Sequence, residues 1–146
     1  MANDPELTGE KLNTLYTAVG WNDDGTRTPE KTELVLDRAA YFVAAWDGEA
    51  LIGFGRVFAD VYWAQILDVM THPEYRRRGV AKGIVSRLVS YAEKEQLSLM
   101  LISAGGTESL YKQFGFSQAD PATDVLMYRP LPAPTVKPRT VKPPLS

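Results

Sequence analysis

Asp68-Val69-Met70-Thr71-His72-Pro73-Glu74-Tyr75-Arg76-Arg77-Arg78-Gly79-Val80-Ala81-Lys82-Gly83, running on into Ile84-Val85-Ser86-Arg87-Leu88, is the stretch that decides the fold. It reads as a buried strand over Gln65 to Thr71, a tight basic turn, and an amphipathic helix. The helix has Val80, Ile84 and Leu88 at i, i+4, i+8, with Val85, Val89 and Ala92 beside them. A turn feeding a helix start exposes backbone N–H groups that have no intrahelical partner, and the helix dipole adds partial positive charge there. An anion, phosphate above all, suits that position. Gly79 and the small Ala81 allow close approach to the backbone.

Upstream, the spacing of Leu12, Leu15, Tyr16 and Val19 predicts a helix from Thr8 to Val19, with Thr8 as N-cap and Gly20 as its stop. Residues 1 to 7 read as a loose lead-in. Asn22-Asp23-Asp24-Gly25 is turn chemistry within a loop from Trp21 to Arg27. A second helix follows Thr28 as N-cap, with Pro29 at its first position. Strands are expected at Tyr41–Trp46, Ala50–Ala59 and Ala64–Thr71, the first two joined by the hairpin signal Asp47-Gly48. Gly53 and Gly55 inside the second strand point to a bulge or a close backbone approach.

Downstream, Ser98–Ser103 is an apolar run of strand length. Coming after a crossover helix, it is expected to lie parallel to the 64–71 strand. Thr107 is placed to cap a short helix through Gln113, which Gly115 ends. Asp124–Arg129 alternates as a last antiparallel strand. Prolines then recur at 130, 132, 134, 138, 143 and 144, so 130–146 reads as an extended tail after a single domain over 1–129. The fold class is α/β: a mixed, mostly antiparallel sheet flanked by helices.

Arg76-x-x-Gly79-x-Ala81, with its His72-Pro73-Glu74-Tyr75 lead-in and the downstream Leu110-Tyr111-Lys112-Gln113-Phe114-Gly115-Phe116, resembles the GNAT family of N-acetyltransferases over about residues 12 to 129. Leu15-Tyr16-Thr17-Ala18-Val19-Gly20-Trp21 and Ile66-Leu67-Asp68-Val69 resemble its small serotonin (arylalkylamine) acetyltransferase-like subgroup of plants and cyanobacteria. The resemblance implies acetyl-CoA as co-substrate. Its pyrophosphate would lie on the amides and side chains of Arg76, Arg77, Arg78, Gly79, Val80, Ala81 and Lys82. Its pantetheine arm would lie between two splayed parallel central strands, against the main chain of Val69, Met70 and Thr71. The resemblance also implies that Tyr111 is the general acid for the CoA sulfur, that the first two helices line the acceptor side, and that a homodimer forms. The sequence departs from the family in two places. No first strand is evident, and Ala104-Gly105-Gly106 stands where an Asn often contacts the cofactor.

Other residues keep two readings. Tyr16 and Trp21 either shape the acceptor pocket or pack in the core. Asp68, a carboxylate within an apolar strand, is either the general base or a structural partner for an Arg such as Arg56, with Glu108 and Glu74 as alternative bases. His72, the single histidine, reads as a residue that shapes the loop. One His with scattered carboxylates is no metal-ligand set, so no metal is expected.

The absence of cysteine excludes disulfides and a thiol nucleophile. A net charge of −2 argues against a general nucleic-acid binder. Lys82 is followed by Gly83, which does not fit a Walker loop. No apolar run reaches the roughly 18 residues of a membrane span. Met1–Glu6 lacks the basic start and apolar stretch of a secretion signal, so a cytoplasmic chain with no membrane partner is expected. The function expected is acetyl transfer from acetyl-CoA to a small, arylalkyl-type primary amine by direct attack in a ternary complex. The alternatives are transfer to a protein N-terminus or lysine, and a non-catalytic acetyl-CoA-sensing module.

Overall fold

A computed structural model describes residue 4 and residues 6–132. The chain divides into two compact units, Met1–Leu101 and Ile102–Ser146.

The first unit opens with two helices, α1 (Gly9–Ala18) and α2 (Pro29–Arg38). Both start on the capping residues read from the sequence. The Thr8 hydroxyl accepts from Lys11 N, and the Thr28 hydroxyl accepts from Lys31 N, each at 3.2 Å. Pro29 occupies the first turn, where its missing N–H costs nothing. The helices meet at Gly9, whose N–H donates to Glu33 Oε2 at 2.5 Å. A methyl group built on Gly9 would lie 2.5 Å from the Pro29 carbonyl oxygen and 2.7 Å from Glu33 N. Backbone atoms cannot swing aside as side chains do. Gly9→Ala is therefore expected to destabilise the protein by about 1–3 kcal/mol, read as a lower urea midpoint at unchanged m-value.

The sheet has four strands in the order β1-β2-β3-β4: β1 (Tyr41–Asp47), β2 (Ala50–Ala59), β3 (Trp63–Thr71) and β4 (Ser98–Leu101). The first three form an antiparallel meander, and β4 lies parallel to β3. The β1–β2 turn is tight, with Gly48 at φ 59°, the left-handed conformation that glycine adopts without Cβ strain. Helix α3 (Val80–Lys94) makes the crossover. Its Ile84, Val85, Leu88 and Ala92 are buried, and Tyr91 stacks on Tyr41 of β1 at 4.5 Å. Gly53 and Gly55 let this helix come close. A methyl on Gly55 would sit 2.7 Å from Ile84 Cγ2, and one on Gly53 would sit 2.7 Å from Val80 Cγ1. On the opposite face α1 closes a core of Leu7, Leu12, Leu15, Tyr16, Phe54 and Met70. Each such side chain contributes on the order of 1.5–3 kcal/mol of burial free energy.

The lead-in is better anchored than its composition suggests. Leu7 belongs to the core, and Asp4 Oδ2 accepts from Trp46 Nε1 at 2.7 Å. β4 stops at Leu101, two residues short of the expected strand.

In the second unit α4 spans Glu108–Lys112. Thr107 does not cap it. Its hydroxyl donates to the Ala104 carbonyl at 2.6 Å and shares a hydrogen bond with Ser103 Oγ. The expected last strand, Asp124–Arg129, is not formed: residues 117–132 carry neither helix nor strand. Thr123 N and Asp124 N both bond back to the Asp120 carbonyl, so the chain enters this segment from a closed turn. Val125, Leu126, Met127 and Tyr128 are exposed on both parities, at 74, 49, 87 and 47%. Alternation buries a face only where a neighbouring strand or layer supplies one. Of the expected tail, 133–146 lies outside the described residues.

Candidate functional site

The β2–β3 ladder is regular as far as Arg56↔Leu67, then resumes at Phe54↔Met70. Gly55 thus faces two residues, Asp68 and Val69. This is a β-bulge, and Asp68 takes φ 55° to make it. Asp is among the few non-glycine residues that accept the left-handed region at modest cost. The bulge aims the carboxylate at the α1 face of the sheet. There Asp68 Oδ2 accepts from Tyr16 OH at 2.5 Å and from Arg56 Nε at 2.7 Å. The Arg56 and Asp68 side chains are 18% and 12% exposed, so the pair is largely desolvated yet still reaches water. Asp68 Oδ1 makes no hydrogen bond among the described residues. No described side-chain polar atom is buried without a partner, so Oδ1 is open to solvent. Asp68 is thus the structural partner of Arg56, and it keeps one oxygen unengaged.

Tyr16 is wholly buried. Trp21, half-buried, lies with its ring centroid 6.5 Å from that of Tyr16, and the Arg27 guanidinium carbon lies 4.0 Å from the Tyr16 ring. Burial, then the charge of Asp68 and the hydrogen bond to it, push the Tyr16 phenol well above its ordinary value. The native state holds this tyrosine neutral while the unfolded chain ionises it from about pH 10 upward, so stability tied to it is intact below that pH and falls above it. Stability is expected to drop on raising pH beyond 10, measured by urea unfolding. Tyr16→Phe should flatten part of that drop.

The basic turn is built by its lead-in. His72 Nδ1 accepts from Glu74 N at 3.1 Å and Tyr75 N donates to the His72 carbonyl at 2.8 Å, closing a 3-10 turn over Pro73–Tyr75. The histidine shapes the loop, as its sequence context suggested. Tyr75 OH donates to Asp47 Oδ2 at 2.6 Å, which pushes its phenol up, and Arg78 lies over the Tyr75 ring at 5.2 Å. Arg77 and Gly79 are both left-handed, at φ 64° and 79°. Helix α3 then begins at Val80 with no side-chain cap and no acid in its first turn, and its first backbone bond is Gly83 N to the Gly79 carbonyl at 3.0 Å. The amides of 79–82 are left without intrahelical partners. Among the described residues nothing beyond its chain neighbours lies within 4 Å of a methyl built on Gly79, so these residues leave the approach to the amides open. Arg76, Arg77, Arg78 and Lys82 are exposed around them. This donor set fits a pyrophosphate: a helix N-terminus free of competing carboxylates, ringed by cations.

The parallel ladder between β3 and β4 ends at Ile66↔Leu101, while β3 runs on to Thr71. Its backbone from 67 to 71 therefore has no β4 partner. Met70 is buried in the core, so only its main chain can serve a ligand at that edge.

Tyr111 stands on α4, half-buried, its ring edge-on to Phe116 at 6.0 Å, and burial pushes its phenol up. Of the alternative bases, Glu74 is exposed, and Glu108 Oε2 accepts from Gly106 N at 3.0 Å. The structure brings Asp68 together with Tyr16 and Arg56, and gathers Arg76–Lys82 around one helix start. The sequence marks the 22–27 loop as a candidate wall of the acceptor pocket without singling out Arg27. Its only signal is that it is the one cation in the 22–27 loop.

Comparison with known proteins completes the picture. The uncharacterized N-acetyltransferase YsnE of Bacillus subtilis (strain 168) is 34% identical over 90 residues, which are 57% of this chain and 60% of that relative. The chain thus spans less than two thirds of that curated relative's length. A crystal structure of a protein of unknown function from meticillin-resistant Staphylococcus aureus matches with TM-score 0.74 and 25% identity, covering 87% of this chain and 96% of that one. An aminoglycoside 6'-N-acetyltransferase complexed with coenzyme A shares the fold alone, at TM-score 0.59 and 19% identity, over 69% of this chain and 57% of that one. The model of the acetyltransferase (GNAT) family matches residues 8–116, well over half of the chain, and the chain belongs to that family.

Proposed function

We propose that the protein moves the acetyl group of acetyl-CoA to a small primary amine, of arylalkyl type, by direct attack in a ternary complex. The observation that carries this reading is the start of α3: unpartnered amides, no side-chain cap, no first-turn acid, and the exposed cations Arg76, Arg77, Arg78 and Lys82 around them. The coenzyme A in the solved aminoglycoside enzyme and the name of the Bacillus relative support the same chemistry.

In this reading residues 76–82 hold the diphosphate, and the unpaired edge of β3 at Val69, Met70 and Thr71 holds the pantetheine amides through its main chain. Acetyl-CoA supplies an activated thioester, whose sulfur leaves as a thiolate that needs a proton. An ammonium loses two protons on becoming an amide. Asp68 takes the first at Oδ1, freeing the nitrogen lone pair, and passes it to water. Tyr16 and Arg56 keep Oδ2 occupied, which fixes the direction of the carboxylate. Tyr111 gives the sulfur its proton, and the second amine proton restores the phenol. A phenol is protonated through the physiological range, and burial pushes Tyr111 further up, so it is present in the acid form that the sulfur needs. Trp21 borders the acceptor side.

A thiol-release assay with acetyl-CoA and a panel of tryptamine, a polyamine, an aminoglycoside and a lysine peptide tests the proposal. Amine-dependent release with tryptamine is expected. Release with the peptide alone would move the acceptor to protein. Tight acetyl-CoA binding without release by any amine would make the chain a non-catalytic binding module, and absence of binding would remove the role of the 76–82 loop.

A further inference from the structure

The loop before α2 carries a guanidinium that the fold fixes in place and that forms no close ion pair among the described residues. Arg27 N donates to Asn22 Oδ1 at 2.9 Å, and Asn22 Nδ2 donates back to the Arg27 carbonyl at 3.0 Å. Arg27 Nε donates to the Trp21 carbonyl at 3.1 Å, and the guanidinium lies 4.0 Å from the Tyr16 ring centroid. These contacts hold both the backbone and the side chain, and none uses the two terminal nitrogens. The ion pair found among the described residues is Arg56–Asp68. No described polar atom is buried without a partner, so the terminal N–H groups reach solvent.

One tyrosine ring separates this fork from Asp68, since the Tyr16 hydroxyl rests on Oδ2. Around that ring stand two guanidiniums, Arg27 and Arg56, and one carboxylate. Arg27 lies over the Tyr16 ring, and Arg56 shares Asp68 Oδ2 with the Tyr16 hydroxyl. The carboxylate is matched by Arg56, and the charge of Arg27 is left over. A surplus cation held rigid and half-dry repels a polycation and attracts an anion, and a guanidinium fork matches a planar carboxylate with two parallel hydrogen bonds. Holding the side chain in advance removes most of the ordering cost of such a contact.

We propose that Arg27 is a specificity-determining residue that binds a carboxylate on the acceptor, so that the acceptor is a primary amine which also carries a carboxylate, an amino acid. The inference rests on the acetyltransferase reading above. It refines the acceptor from an aryl amine to one with an anionic arm, and it disfavours polyamines and aminoglycosides.

Matched acceptors test it: tryptophan against tryptamine, and phenylalanine against phenethylamine, in the thiol-release assay. In the wild type, kcat/KM is expected to favour the carboxylated member of each pair by about tenfold or more, the size of one charge-assisted bidentate contact. Arg27→Gln should bring that ratio close to one, through KM for the amino acid. Arg27→Lys should keep part of it, because the point charge remains and the fork is lost. Thermal melts of the Gln and Lys variants separate this from misfolding: a ratio that collapses in a Gln variant melting with the Lys variant supports the proposal. A wild type that favours tryptamine or spermidine overturns it, and so does a ratio that survives Arg27→Gln; either leaves the acetyltransferase reading standing. Acetyl-CoA binding with no release by any amine overturns that reading and this inference with it.

Discussion

Tyr111→Phe is expected to lower kcat by about 10²-fold or more while leaving acetyl-CoA affinity nearly unchanged. General acid catalysis contributes typically 10²–10⁴ in rate, and the proton in question is needed only as the sulfur leaves. Phe keeps the ring and its edge contact with Phe116 and removes one oxygen, so packing on α4 changes little. The pH dependence carries its own sign. Burial raises the Tyr111 phenol above its ordinary value of 10.0, so the protonated form persists beyond that pH. The alkaline limb that this group imposes on kcat should therefore lie above pH 10 in the wild type and vanish in the variant. Stopped-flow thiol release under single-turnover conditions separates the chemical step from product release. An unchanged single-turnover rate in Tyr111→Phe would remove this residue from the proton path.

Much of the first unit was legible because its signals are local. Thr8 and Thr28-Pro29 mark helix starts by capping chemistry, Asp47-Gly48 marks a hairpin, and Val80, Ile84 and Leu88 mark one buried helix face. Each depends on neighbours within a few residues. Gly53 and Gly55 were ambiguous between a bulge and a close approach, and both occur: α3 crosses above them, and the ladder slips opposite Gly55. The candidate site was legible in its parts and not in its wiring. Asp68 is conspicuous as an acid among apolar residues, yet that it takes a left-handed bulge and shares one oxygen between Tyr16 and Arg56 depends on contacts 52 and 12 residues away in sequence. Arg27 carried little local signal beyond being the one cation of its loop, because its meaning lies in the Tyr16 ring it covers. The strand read at 124–129 fails for the same reason in reverse. Its alternation is real, but pairing is a property of two segments, and after the Asp120 turn this one joins no ladder and its apolar side chains stay exposed.

Asp68→Asn is the second large effect expected, and its interest lies in how stability and activity part company. Asn has nearly the shape of Asp, and its carbonyl oxygen can still accept from Tyr16 and Arg56, so the bulge should survive. The charge is lost, and Arg56, only 18% exposed, is left without a counter-ion. Removing one partner of a fully buried pair costs about 3–5 kcal/mol; partial exposure and the remaining hydrogen bonds reduce this to roughly 1–2 kcal/mol here. Activity should fall by about 10²-fold or more, because an amide cannot take the ammonium proton. A second substitution separates the two losses. Arg56→Met in the Asp68→Asn background removes the stranded cation and should recover much of the stability, a coupling that a double-mutant cycle measures directly. Activity should not return with it, since no proton acceptor has been restored. If activity does recover alongside stability, Asp68 serves the fold through Arg56, and the amine must lose its proton to another group.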